Sequence, residues 1–96
     1  MKFSIAGLNK VFDSRIRLGI MAVLAVNDEL DFNALKELLE VTDGNLASHL
    51  KALEKEEYIE VKKSFVGRKP NTKYEMTPKG REAFGEHLKG LQGLIM

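Results

Sequence analysis

The sequence predicts one mainly helical α+β domain: a three-helix core, a β-hairpin and a C-terminal helix. Three observations carry that expectation. Leu46, Leu50 and Leu53 recur at helical spacing behind Thr42, a good N-cap residue. Ile59, Val61 and Phe65 then sit at odd positions with charges between them, the period of a strand with one buried face. Finally, Gly67-Arg68-Lys69-Pro70-Asn71 has turn composition, and Thr77-Pro78 reads as an N-cap followed by proline at the first helical position.

The first strong helix begins after Asp13 or Ser14, either of which can cap it, and Ile16, Ile20, Val23 and Leu24 carry its apolar face to Val26. Upstream, the apolar spacing of Leu8, Val11 and Phe12 suggests a short preceding helix. Asn27-Asp28 is a turn, and Glu29 to Phe32 has room for a brief strand that leads to an N-cap at Asp31. A second helix covers about Asn33 to Glu40, with Leu35, Leu38 and Leu39 on one side. Only a few residues separate it from the third helix, as a helix-turn-helix requires. Thr42 caps that third helix, and Asp43 suits the positive end of its dipole. The leucine stripe must face inward, which turns Gly44, Ser48, Lys51 and Lys55 outward, with Asn45 and Ala52 flanking them and His49 between that face and the core.

The hairpin runs from Tyr58 to Met76, and Lys63 interrupts its apolar series near the tip, where it leaves the core. Pro70 cannot donate a ladder hydrogen bond and is expected in the turn. The last helix carries Ala83, Phe84, His87, Leu88, Leu91, Leu94 and Ile95 on one side, while Gly85, Gly90 and Gly93 weaken it, so its end is expected to fray. Helix, short strand, helix, helix, strand, basic turn, strand, helix is the order of a winged helix-turn-helix.

Composition narrows the function. At 96 residues the chain is one domain, residues 1–96, with a modest core, so self-association through terminal helices is a natural source of stability. No cysteine is present, which excludes disulfides, thiolate catalysis and cysteine-ligated zinc. The N-terminus lacks the apolar core of a signal peptide, and Ile20 to Val26 falls far short of the ~20 residues that span a bilayer, so a cytoplasmic protein without membrane association is expected. No nucleophile–base pair, phosphate loop or metal triad is visible, so no enzyme is expected. The net charge is only +1, yet residues 27–60 hold three basic and ten acidic side chains, and residues 61–81 hold seven basic and one acidic. Positive charge gathered around one hairpin is a local footprint for nucleic acid, although lysines also keep exposed hairpins soluble.

Three segments carry a family resemblance: Thr42-Asp-Gly-Asn-Leu-Ala-Ser-His-Leu-Lys-Ala-Leu-Glu, Tyr58 to Pro70 with Gly67-Arg68-Lys69-Pro70 in the wing, and Tyr74-Glu-Met-Thr-Pro-Lys-Gly-Arg. Together with Ser14 to Met21, they resemble the small winged-helix transcriptional regulators related to the MarR and ArsR groups, over about Phe12 to Phe84. The resemblance implies a cytoplasmic prokaryotic DNA-binding protein, usually a homodimer paired through its terminal helices. It departs from metal-sensing relatives in lacking cysteine, and no cofactor is expected. A small-molecule effector stays open, because small cavities at a dimer interface leave no motif.

The candidate DNA-binding residues are Thr42, Gly44, Asn45, Ser48, His49, Lys51 and Lys55 on the third helix, with Lys62, Lys63, Arg68, Lys69 and Lys73 on the wing. Asn pairs with an adenine edge, Ser serves either base, and arginine suits phosphates and a narrow minor groove. Against this, Asn45 could merely help cap the helix, Ser48 could face water, and Gly44 could reflect a packing tolerance rather than close approach to a partner. His49 could reach a phosphate, pack on the first helix or bind metal, the last a poor fit with only His87 elsewhere. Arg15, Arg17 and Lys36 are weaker backbone candidates. Leu8, Phe84, Leu88, Leu91, Leu94 and Ile95 form the candidate dimer seam, joined by Phe3 and Ile5, unless the stripe only packs on the first helix. A protein–protein adaptor is the competing reading, and the acidic run Glu54, Glu56, Glu57 and Glu60 fits it slightly better.

Overall fold

The computed structural model describes residues 5–95. Phe3 lies outside them. The chain opens with a short 3-10 helix at Lys10–Phe12, capped by the Asn9 side chain, which accepts from the Val11 N–H at 3.0 Å. Helix α1 is Arg15–Ala25, strand β1 Leu30–Asp31, helix α2 Phe32–Leu39 and helix α3 Asp43–Lys55. Strands β2 (Ile59–Val66) and β3 (Lys69–Met76) form the hairpin, and helix α4 is Pro78–Ile95.

Every cap sits where its side-chain chemistry puts it. Ser14, not Asp13, caps α1 by accepting from the Arg17 N–H at 3.3 Å, while Asp13 closes the 3-10 helix. Asp31 accepts from the Ala34 N–H at 2.8 Å, Thr42 from the Asn45 N–H at 3.3 Å and Thr77 from the Gly80 N–H at 2.9 Å. Helix α3 ends in a Schellman arrangement: the Glu57 N–H donates to the Glu54 carbonyl at 2.9 Å and the Tyr58 N–H to the Leu53 carbonyl at 3.0 Å. Glu57 adopts φ 63° to allow it. Replacing Thr42 with alanine removes an N-cap and should lower unfolding free energy by ~1 kcal/mol in a DNA-free denaturant titration.

The sheet is antiparallel in the order β1-β3-β2, with Leu30 opposite Tyr74 and β2 in register with β3 from Ile59–Met76 to Val66–Lys69. Its inner end covers a core of Phe12, Ile20, Met21, Leu24, Leu35, Leu46, Leu50, Leu53 and Ile59. All three leucines of the α3 stripe are in that core, which fixes which face of α3 looks outward. Phe12 is the hub for α4: its ring lies 5.7 Å from Phe84 and 5.1 Å from His87, edge-on to both, and 5.5 Å from Tyr58. His87 is buried among them and is satisfied, its Nδ1 accepting from the Asn9 N–H at 3.0 Å. The Asn9 side chain donates onward to the Tyr58 hydroxyl at 3.0 Å.

Three sequence expectations need correction. Helix α2 starts at Phe32 and ends at Leu39, because Glu40 turns left-handed at φ 52°. Pro70 lies in β3, opposite Phe65, and the turn is the residue pair Gly67-Arg68. Gly67 has φ 66° and Arg68 does not share it, the signature of a type II′ hairpin. The closing pair Val66–Lys69 occupies a hydrogen-bonded position, so Phe65–Pro70 falls at a non-hydrogen-bonded one and no ladder donor is missed. Strand β1 reaches only Lys73 and Tyr74, so Pro70 meets no strand on its other side. Phe65, expected on the buried face, is 74% exposed, because the hairpin extends well past the core.

Candidate nucleic-acid interface

Burial of Leu46, Leu50 and Leu53 leaves Thr42, Gly44, Asn45, Ser48, Lys51 and Lys55 exposed along α3, with His49 half-buried beside them. The side chains of Asn45 and Ser48 form no hydrogen bond among the described residues, so their donors and acceptors are available to an external partner. A Cβ built on Gly44 would have no atom within 4 Å, so nothing within the described chain requires glycine there.

His49 is held from behind. Its Nδ1 accepts from Arg17 Nε at 3.1 Å, and the same guanidinium donates through Nη1 to the Val11 carbonyl at 3.0 Å. Arg17, offered above as a backbone contact, therefore has both these donors engaged within the chain.

The wing cations divide into two groups. Lys62 and Lys73 are cross-strand partners on one face, and each is ion-paired: Lys62 with Glu75 at 3.0 Å and Lys73 with Glu29 at 3.0 Å. The hydrogen bond and charge of Glu75 push the Lys62 pKa up, so that lysine stays cationic. Lys63, Arg68 and Lys69 are exposed and form no ion pair among the described residues, and neither do Lys51 and Lys55. Both pairs are open to solvent on the lysine side, so Lys62 and Lys73 can exchange their carboxylates for another anion at little loss. Sequence composition counted all these lysines alike; their pairing depends on strand register and on the approach of Glu29. Lys36, the weaker candidate on α2, pairs with Asp43 at 2.8 Å.

The candidate seam residues are placed unequally. Leu88, Leu91 and Ile95 are exposed, as is Ile5, whereas Leu8 and Leu94 are half-buried and Phe84 packs on Phe12 within the chain. Among the described residues no group of three or more His, Asp or Glu is arranged to hold a metal ion, and no helix is long and apolar enough to cross a membrane.

Comparison with known proteins places this geometry. A family model described as "Winged helix DNA-binding domain" matches residues 16–95. An uncharacterized protein of Methanocaldococcus jannaschii is 43% identical over 79 residues, covering 82% of this chain and 86% of that protein. The structure of a transcriptional regulator homologue from Pyrococcus horikoshii OT3 superposes with a TM-score of 0.78 at 32% identity, over 90% of each chain. PadR of Bacillus subtilis, solved in complex with operator DNA, shares the fold at a TM-score of 0.70 and 18% identity, over 78% of this chain and 48% of that one.

Proposed function

The chain belongs to the winged helix DNA-binding domain family, and on that footing we propose that it is a homodimeric, sequence-specific transcriptional regulator acting in the cytoplasm. Helix α3 enters the major groove, where Asn45 and Ser48 read base edges and Gly44 lets the helix approach closely. Arg68 and Lys69 at the wing tip, with Lys63 behind them, grip the neighbouring phosphates, while Lys51, Lys55, Lys62 and Lys73 add backbone contacts.

One observation supports this reading most directly. The polar groups without partners on α3 and the cations without carboxylates on the wing tip belong to adjoining elements, and nothing else in the described chain uses them. The reading is tested by retardation of a duplex selected from a random-sequence pool, at increasing salt. Affinity should fall linearly on a log–log scale, with ~0.9 of slope for each phosphate neutralised. No retardation of any duplex, with recovery of a protein partner instead, would favour the adaptor reading that the exposed Glu54, Glu56, Glu57 and Glu60 support.

Pairing of two copies rests on the exposed Leu88, Leu91 and Ile95, whose burial a second α4 would supply. Such a dimer would set two α3 helices about one DNA turn, ~34 Å, apart. The double variant Leu88→Glu/Leu91→Glu should sediment as a folded monomer and bind the selected duplex at least ~100-fold more weakly, since only one half-site is then engaged. A variant that remains dimeric would place the seam elsewhere.

A further inference from the structure

We infer that Arg17 is a positioning residue for His49, holding that imidazole so that it presents an Nε2–H donor to DNA; this rests on the DNA-binding reading above. A neutral imidazole carries its proton on one nitrogen and accepts at the other. Because Arg17 Nε–H donates to His49 Nδ1 at 3.1 Å, the lone pair is on Nδ1 and the proton is on Nε2. Nε2 makes no hydrogen bond among the described residues, and His49 lies one residue from Ser48 on the half-exposed flank of α3.

Arg17 is itself fixed. It projects from the first turn of α1, just after the Ser14 cap, and its Nη1 donates to the Val11 carbonyl at 3.0 Å. The Val11 N–H is held by the Asn9 side chain at 3.0 Å, and the Asn9 N–H by buried His87 of α4 at 3.0 Å. The guanidinium fork is thus anchored at one prong through the N-terminal segment and steers the imidazole with the other. A planar, permanently charged donor suits this task, since it never offers an acceptor that would reverse the tautomer. The donor on Nε2 fits a phosphate oxygen or a guanine or thymine acceptor at a base edge.

Three measurements test the inference on the intact chain. First, in an imidazole nitrogen NMR spectrum at a pH where the ring is neutral, His49 should show a protonated Nε2 and a hydrogen-bonded Nδ1. In Arg17→Met the Nδ1 signal should move toward that of a free pyridine-type nitrogen. Second, Arg17→Met should weaken binding to the selected duplex roughly tenfold per protomer, the effect of one well-placed hydrogen bond, without changing the salt slope. Third, in a His49→Ala background, Arg17→Met should produce no further loss.

A slope reduced by ~0.9 per protomer would make Arg17 a phosphate contact instead, and so overturn the inference. Unchanged binding, or a full loss repeated on top of His49→Ala, would overturn it as well. If the wild-type chain retards no duplex, the DNA reading fails and takes the presented donor with it, while the NMR spectrum still reads the Arg17–His49 bond separately. Thermal melts of each variant separate lost folding from lost binding.

Discussion

Replacing Gly80 with alanine is expected to destabilise the fold by ~3 kcal/mol, lowering the melting temperature by roughly 12–24 °C. The added Cβ would lie 2.0 Å from the Tyr58 carbonyl oxygen, 2.8 Å from its carbon and 2.9 Å from its Cα. Those atoms are backbone, so no rotamer change relieves the clash. The Tyr58 segment is also tied to the start of α4: the Thr77 N–H donates to the Tyr58 carbonyl at 3.1 Å and the Thr77 hydroxyl to the Glu57 carbonyl at 2.6 Å. Relief therefore requires α4 to move away from Tyr58, loosening Phe84 and His87 from Phe12. Gly85 provides the internal control. A Cβ there meets nothing within 4 Å, so Gly85→Ala should stabilise the chain by ~0.5–1 kcal/mol through helix propensity alone. Thermal melts followed by far-UV circular dichroism measure both; equal responses would mean that α4 does not dock as described.

The second large effect concerns binding. Arg68→Glu/Lys69→Glu turns the wing tip from +2 to −2 and should lower affinity for the selected duplex at least ~100-fold at low salt. The salt slope should fall by ~1.8 for each chain bound, the share of two phosphates. Both residues are exposed and make no ion pair among the described residues, so the melting temperature should stay nearly constant. Reversing Lys62 instead places a new carboxylate beside Glu75 and also meets Lys73 across the strands, so its effect mixes binding with local repulsion. That is why the tip is the cleaner probe. Retained affinity in the tip variant would remove the wing from the interface.

The framework of the fold was legible wherever a local rule decides. Leucine spacing identified the buried side of α3, and Asp31, Thr42 and Thr77 announced their helices, because caps and periodicity depend on neighbours in the chain. What was illegible depends on residues far apart in sequence. Gly80 carries no local signal in the sequence, and only the passage of Tyr58 beneath it makes it obligatory. The rule that bars proline from a ladder holds for hydrogen-bonded positions, and register places Pro70 where it does not apply. Phe65 matched the strand period, but periodicity does not tell how far a hairpin runs beyond its core.

The candidate interface shows the same division. The outward position of Asn45 and Ser48 followed from the leucine stripe, and the basic character of the wing followed from charge counting. Pairing of Lys62 with Glu75 and of Lys73 with Glu29 required the register, and the bond from Arg17 to His49 required the packing of α1 on α3. No motif in the sequence marks either one.

The central claim is that the outward face of α3 and the wing tip touch one duplex. Titrating nitrogen-labelled protein with the duplex selected from a random-sequence pool, and following backbone amide signals, tests it most directly. Perturbations should concentrate at Gly44, Asn45, Ser48, His49 and Lys51 and at Gly67, Arg68 and Lys69, saturating together. Shifts confined to α4 and the N-terminal segment, with α3 and the wing unmoved, would contradict the account.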